Sequence, residues 1–186
     1  MPLPGSTIGD DGWVAGISRI PSPNFDVRPE GTAITLIVIH GISLPPGRFG
    51  TGCIKQLFTN TLEVTADPYF ESLRDLRVSS HFLIERTGNA VQFVSCALRA
   101  WHAGVSEFAG RPRCNDYAIG IELEGTDDRR YEDAQYDSLN SLLLSLVGAY
   151  PVHAVVGHNE IAPGRKTDPG PCFDWGRLSV ELRLHP

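Results

Sequence analysis

The sequence predicts an α/β fold, a sheet covered by helices, and three stretches carry that prediction. Ala33 to Ile39, AITLIVI, is rich in β-branched residues and apolar on both faces, as a central strand covered on each side would be. Tyr117 to Leu123, YAIGIEL, alternates with period two. From about Glu132 to Ala149, the apolar residues Tyr136, Leu139, Leu143, Leu146 and Val147 recur at helical spacing.

The first strand is expected to end at His40-Gly41. Residues 80 to 95, SHFLIERTGNAVQFVS, read as a hairpin, with two alternating runs joined by a Thr-Gly-Asn turn and His81 near the start of the first. In YAIGIEL, the alternation puts Tyr117, Ile119, Ile121 and Leu123 on one face and Ala118, Gly120 and Glu122 on the other. Ala118 and Gly120 then clear a space into which Glu122 projects. The helix that follows has Asp133 available as a cap, and Pro151 ends it. Val152 to Val156 reads as a short strand with Val152, Ala154, Val156 and His158 on one face, so that His158 sits where the strand runs out.

With 186 residues, 41% hydrophobic and 20% charged, the chain fits one globular domain, 1–186, and shows no repeat or low-complexity tract. A net charge of -6 argues against nucleic acid or an anionic membrane surface as partner, and leaves any anionic ligand to a local arginine cluster. MPLPGSTIGDDGW lacks a basic start and an apolar run of signal length, and stretches such as AITLIVI are too short to span a bilayer. A cytoplasmic protein is expected. Cys53, Cys96, Cys114 and Cys172 form no CxxC pair, so reduced structural thiols are expected rather than a thiolate metal site.

Strand ends that feed irregular loops are where α/β proteins place ligands. His40 and His158 both occupy such ends, and GHNEIAPGRKTDPG brings Lys166 and Asp168 onto a loop just beyond His158. Two histidines and an aspartate would complete a three-ligand zinc site with a fourth position open. Equally, a histidine ending a strand can be a hydrogen-bonded structural residue, and Asp168 can cap a turn beside Pro169-Gly170. Spacing alone does not choose between these readings.

The motif set does. IVIHGISLPPGRFGTG, DPYF, LRVSSHFLIERTG, AWHAGVS, CNDYAIGIELEGTD and IAPGRKTDPGP, in that order, resemble the AmpD-type N-acetylmuramoyl-L-alanine amidases from roughly Trp13 to Trp175. The resemblance implies the zinc amidase fold, a central mixed β-sheet flanked by helices, shared with peptidoglycan recognition proteins. It also implies cleavage of the amide between the lactyl group of N-acetylmuramic acid and L-alanine. The expected substrate is a 1,6-anhydromuropeptide in peptidoglycan recycling, a step that lowers the muropeptide pool inducing β-lactamase. A monomer is expected.

Carried over residue by residue, the resemblance makes His40, His158 and Asp168 the zinc ligands, and Glu122 and Lys166 the catalytic pair. Glu122 would take a proton from water and Lys166 would steady the oxyanion. Arg77 and Arg113 are candidate clamps for stem-peptide carboxylates. Trp101 would lie against sugar or peptide, with His81 and His102 lining the cleft. The chain departs from the family at two places: Asn159-Glu160 replaces a small residue and Asp, and Gly41 replaces the Asn that usually follows the first histidine. A Gly41→Asn change is expected to regain one substrate hydrogen bond unless a neighbouring group already fills the space. A recognition module without catalysis and an amidase acting on intact wall are the rival readings. The complete residue set argues against the first, and the missing export signal against the second.

Overall fold

The computed structural model describes residues 7–179, so both ends of the expected 1–186 domain, including the start of MPLPGSTIGDDGW, lie outside the described residues. In chain order the strands are β1 (Ser18–Arg19), β2 (Phe25–Val27), β3 (Leu36–Ile42), β4 (Phe82–Ile84), β5 (Ala90–Gln92), β6 (Leu98–Ala100), β7 (Glu107–Phe108), β8 (Arg111–Pro112), β9 (Ala118–Glu124) and β10 (Ala154–Gly157). The helices are α1 (Cys53–Phe58), α2 (Asp133–Ala149) and α3 (His158–Ile161).

A six-stranded sheet runs in the order β1-β5-β4-β9-β3-β10. β9 pairs in parallel with β4 and β3, and β3 with β10, while β4 and β5 form an antiparallel hairpin. The sheet is therefore mixed. Its middle is β9, and β3 lies one strand from the edge, closer to the edge than a central strand. AITLIVI starts pairing only at Leu36, and pairing continues through His40 and Gly41 to Ile42 because β9 runs beside it as far as Glu124. His40 is thus held inside a strand.

Alternation along β3 and β9 divides the core. Ile37, Ile39, Ile119, Ile121 and Leu123 face α2, which buries Tyr136, Leu139, Leu142, Leu143 and Leu146 against them. The opposite face packs Leu36, Val38, Ala118, Ala154 and Val156 against Ala103, Cys114, Tyr117 and Ile161, and α1 closes a further cluster over Leu83, Val91 and Phe93. One long helix covers the first face, and short helices and loops cover the second.

Three local expectations change. Tyr117 packs opposite Ile119's face, because it leaves the 3-10 turn Cys114–Asp116 at φ -128, ψ 5 and the alternation starts only after it. Val152 joins the α2-side cluster, away from Ala154 and Val156, since it precedes β10. Glu132, rather than Asp133, caps α2. Gln135 reaches back to accept the Glu132 N–H at 3.0 Å, a capping box, which frees Asp133 to pair with Arg177 at 2.7 Å. The hairpin turn closes as expected through Gly88 N–H to the Glu85 carbonyl at 2.8 Å. All four cysteines are free.

Leu139 is fully buried between α2 and the sheet. Leu139→Ala should therefore lower the unfolding free energy by about 2 to 5 kcal/mol. Urea titration is the check, with a lower midpoint and an unchanged slope expected.

Candidate active site

Register places the polar residues in one row. His40 on β3 pairs directly with Glu122 on β9, and Gly157, the last residue of β10, pairs with Ile39. His158, the next residue, therefore stands beside His40 as the chain turns into α3. Glu122, His40 and His158 form a row across the carboxyl ends of three parallel strands, the position where such sheets bind ligands.

The loop after α3 brings Asp168 back over this row. Its turn is closed by Arg165 and Lys166 N–H groups on the Ala162 carbonyl, and it is fastened by Asn159 N–H on the Asp168 carbonyl at 3.0 Å. His40 Nδ1 then lies 3.0 Å from His158 Nδ1, and these nitrogens lie 3.2 and 3.1 Å from Asp168 Oδ2. His40, His158 and Asp168 are the one group of metal-donor side chains found among the described residues with its atoms within 4.8 Å of one another.

The other ring nitrogens have partners. His158 Nε2 lies 3.2 Å from the Ala103 carbonyl and His40 Nε2 3.0 Å from His102 Nδ1. A proton on each Nε2 leaves both Nδ1 lone pairs aimed at each other and at a carboxylate oxygen. Burial pushes the His40 pKa down to about 4, opposed by the adjacent Asp168 carboxylate, so at neutral pH the ring brings no charge to the triangle. Burial alone would raise Asp168, but the adjacent His158 and His40 rings hold it well below the usual carboxylate range. Three electron-rich atoms at contact distance with too few protons between them make a cation-binding arrangement.

Glu122 Oε1 is 3.9 Å from His40 Nδ1. Burial, reinforced by the Asp168 charge and opposed by Lys166, pushes its carboxyl well above the usual range, which suits a group that must both accept and release a proton. Lys166 is exposed at the rim of the same cleft. The cleft has a volume of about 500 Å³; Leu57, Tyr69, Leu73 and Leu76 form an apolar wall, and Arg77, Arg165 and Lys166 supply cations.

The sequence profile of the N-acetylmuramoyl-L-alanine amidase family matches residues 30–171. The chain belongs to that family. The 1,6-anhydro-N-acetylmuramyl-L-alanine amidase AmpD of Escherichia coli (strain K12) is 53% identical over 173 residues, covering 92% of this chain and 94% of its own. The AmpD of Haemophilus influenzae is 48% identical over 177 residues, 94% of this chain and 96% of its own. The crystal structure of a Se-Met AmpD derivative has a TM-score of 0.89 at 53% identity, covering 91% of this chain and 96% of that one. Escherichia coli AmiD, solved with anhydro-N-acetylmuramic acid-L-Ala-D-gamma-Glu-L-Lys, has a TM-score of 0.58 at 28% identity, covering 94% of this chain and 64% of that one. The chain is an enzyme of the N-acetylmuramoyl-L-alanine amidase class.

Of the expected substrate contacts, Arg77, Trp101 and His102 line the cleft of this amidase. Arg77 spends Nη1 on the Arg74 and Leu76 carbonyls at 3.1 Å. Trp101 donates its indole N–H to Asp26 at 2.8 Å and keeps part of its ring exposed. His81 is fully buried beneath the row and lines no part of the cleft. It accepts the Gly120 N–H at Nδ1, faces the Leu98 carbonyl with Nε2, and is pushed down to about 3 by burial. Arg113 also stays out of the cleft: its side chain is 69% exposed, with Nε 3.0 Å from Asp116. Arg165 lines the cleft, with its Nη2 on the Ala103 and Val105 carbonyls.

The space expected above Gly120 is filled. A Cβ there would stand 2.5 Å from Cγ of His102, whose ring rests on the bare glycine. Asn115 and Arg165 line the cleft although sequence reasoning singled out neither. Asn115 lay within the quoted CNDYAIGIELEGTD, and Arg165 immediately before Lys166, but nothing local marks them. Of the departures from the family pattern, Glu160 keeps a defined task, accepting the Gly157 N–H at 2.8 Å.

Gly41 is where the other departure is resolved. A Cβ on it would stand 2.3 Å from the Tyr131 hydroxyl, which donates to the Pro169 carbonyl at 2.9 Å. Tyr131 is buried, and its ring packs against Phe173. The alternative in which a neighbour fills the space holds, and Gly41→Asn should lose rather than gain. We expect Gly41→Ala and Gly41→Asn each to lower stability by about 1 to 3 kcal/mol. Adding Tyr131→Phe should recover much of that loss, so denaturation of single and double variants should be clearly non-additive.

Proposed function

We propose that this amidase is zinc-dependent and hydrolyses the amide between the lactyl group of N-acetylmuramic acid and L-alanine in 1,6-anhydromuropeptides, within cytoplasmic peptidoglycan recycling. The convergence of His40 Nδ1, His158 Nδ1 and Asp168 Oδ2 at 3.0 to 3.2 Å carries the metal part of this reading. Two imidazoles and a carboxylate suit zinc, and bonds of 2.0–2.1 Å to a tetrahedral ion would set donors about 3.3 to 3.4 Å apart. The triangle needs only a slight expansion to fit.

His40, His158 and Asp168 would hold the zinc, which supplies a Lewis acid for the scissile carbonyl and acidifies a water. The remaining steps fall to side chains. Glu122, with its raised pKa, accepts the proton of the attacking water and delivers it to the leaving amide nitrogen. Lys166, a fixed cation at the cleft, opposes the negative charge that develops on the carbonyl oxygen. Arg77 and Arg165 meet the stem-peptide carboxylates that a chain of net charge -6 would otherwise repel. The exposed part of the Trp101 ring offers a flat surface for the sugar.

The 1,6-anhydro preference is supported by the substrate named for the 48–53% identical relatives and by the ligand in the AmiD complex. Among the described residues no helix is long and apolar enough to cross a membrane. We expect the protein to act as a monomer. Incubation with anhydromuramyl-tripeptide, its reducing-sugar counterpart and intact sacculi, followed by mass spectrometry, tests the substrate assignment. Release of tripeptide from the anhydro form should dominate; equal or faster release from sacculi would overturn it in favour of a wall-degrading amidase.

His40→Ala, His158→Ala and Asp168→Ala should each lose zinc and activity together, because three ligands leave no spare donor. Elemental analysis reads this directly, and one zinc per chain retained in all three would sink the assignment. Glu122→Gln should keep its zinc while turnover falls by roughly a hundred- to ten-thousand-fold in steady-state assays.

A further inference from the structure

We propose that His102 and Ala103 form a positioning segment that sets the protonation of both histidine ligands, and that His102 is not a substrate contact. The proposal rests on the zinc reading above. Imidazole can give its Nδ1 lone pair to a metal only when its proton sits on Nε2, and that proton needs an acceptor if the ring is buried. His158 finds it in the Ala103 carbonyl at 3.2 Å, and His40 in His102 Nδ1 at 3.0 Å. Two adjacent residues of one loop thus face the outer nitrogens of His40 on β3 and His158 at the start of α3.

The segment is built for this task. His102 N–H and Ala103 N–H both donate to Oδ1 of the buried Asn115, at 3.2 and 2.8 Å. Arg165 donates to the Ala103 carbonyl at 2.7 Å and to the Val105 carbonyl at 2.6 Å, tying the segment to the loop that carries Lys166 and Asp168. The His102 ring sits edge-on to His40, with centroids 5.1 Å apart and planes at 85°, in the notch that Gly120 leaves open. Its Nε2 has no hydrogen-bond partner among the described residues, so its one side-chain hydrogen bond there is to His40. A ring so enclosed contributes more to the aim of His40 than to any ligand in the cleft.

The direction of the His40–His102 bond is the crux. With the shared proton on His102, His40 would carry its own proton at Nδ1, pointing into the triangle, and could not ligate. With the proton on His40 Nε2, His102 Nδ1 must accept it. An acceptor at that place is therefore what the metal-competent state needs, and asparagine can supply one because its Oδ1 lies close to where Nδ1 would be.

Zinc affinity by chelator competition, first on the parent and then on His102→Asn and His102→Leu, tests the proposal. His102→Leu should bind zinc about 10- to 100-fold more weakly, as loss of such an outer partner does, and His102→Asn should stay close to the parent. In the zinc-loaded parent, nitrogen-15 NMR should find the His40 proton on Nε2. The proposal is overturned if the leucine variant binds zinc like the parent, if asparagine is as weak as leucine, or if the His40 proton is on Nδ1. A raised KM with unchanged zinc affinity in His102→Leu would also overturn it, making His102 a substrate contact. Should the leucine variant fail to fold, the asparagine variant and the NMR result still decide. A parent that binds no zinc would instead defeat the metal reading itself.

Discussion

Three electron-rich atoms held within 3.2 Å of one another are the constraint on which the rest of this structure depends. Left to themselves, two imidazole lone pairs and a carboxylate oxygen would move apart, so the scaffold must oppose them. It does so with rigid elements. The parallel register of β9, β3 and β10 fixes Glu122, His40 and His158 in a row, and backbone hydrogen bonds at Asn159 and Ala162 bend the loop until Asp168 faces them. This is why a segment rich in glycine and proline carries Asp168: a regular helix or strand leaving His158 could not double back within ten residues.

The same crowding shapes the electrostatics. Asp168 is held well below the usual carboxylate range by the two imidazoles it faces, and its charge helps to raise the Glu122 pKa, whose main cause is burial. Two carboxyl groups on one cleft floor are thus pushed in opposite directions, Asp168 toward the anion and Glu122 toward the protonated form. Lys166, at the exposed rim, opposes the rise at Glu122. The acidic surface of the chain makes the local cations Arg77, Arg165 and Lys166 more consequential for binding an anionic peptide than their number suggests.

The residues that lie on regular elements were legible in the sequence, and those that depend on the path of a loop were not. Periodicity located β3, β9 and α2, and with them His40 and Glu122. It failed at Tyr117 and Val152, which lie one and two residues before their strands, where the ladder does not yet fix which face a side chain takes. Arg113 and Arg165 are both loop arginines. Which of them reaches the cleft depends on the left-handed turn at Arg113, φ 63, that leaves it beside Asp116, and on the packing of the Gly104 loop against Arg165. Asn115 and Arg28 were silent for another reason. Their partners are mainly backbone carbonyls and N–H groups of other segments. Arg28, for instance, reaches the Cys96, Asn115, Asp116 and Ala118 carbonyls, and burial pushes its pKa down to about 10 while leaving it a cation.

Arg28 also shows how far the support of the site extends. By fastening the Asn115 and Ala118 carbonyls it holds the start of β9 and the residue whose side chain clamps His102 and Ala103. On the other side of the sheet, Tyr131 reaches through the gap at Gly41 to the Pro169 carbonyl, one residue from Asp168. Read as sequence, Gly41 is a lost side chain. In the structure it is the opening through which a buried tyrosine steadies the loop that carries Asp168, so the residue at 41 and the placement of Asp168 form one unit.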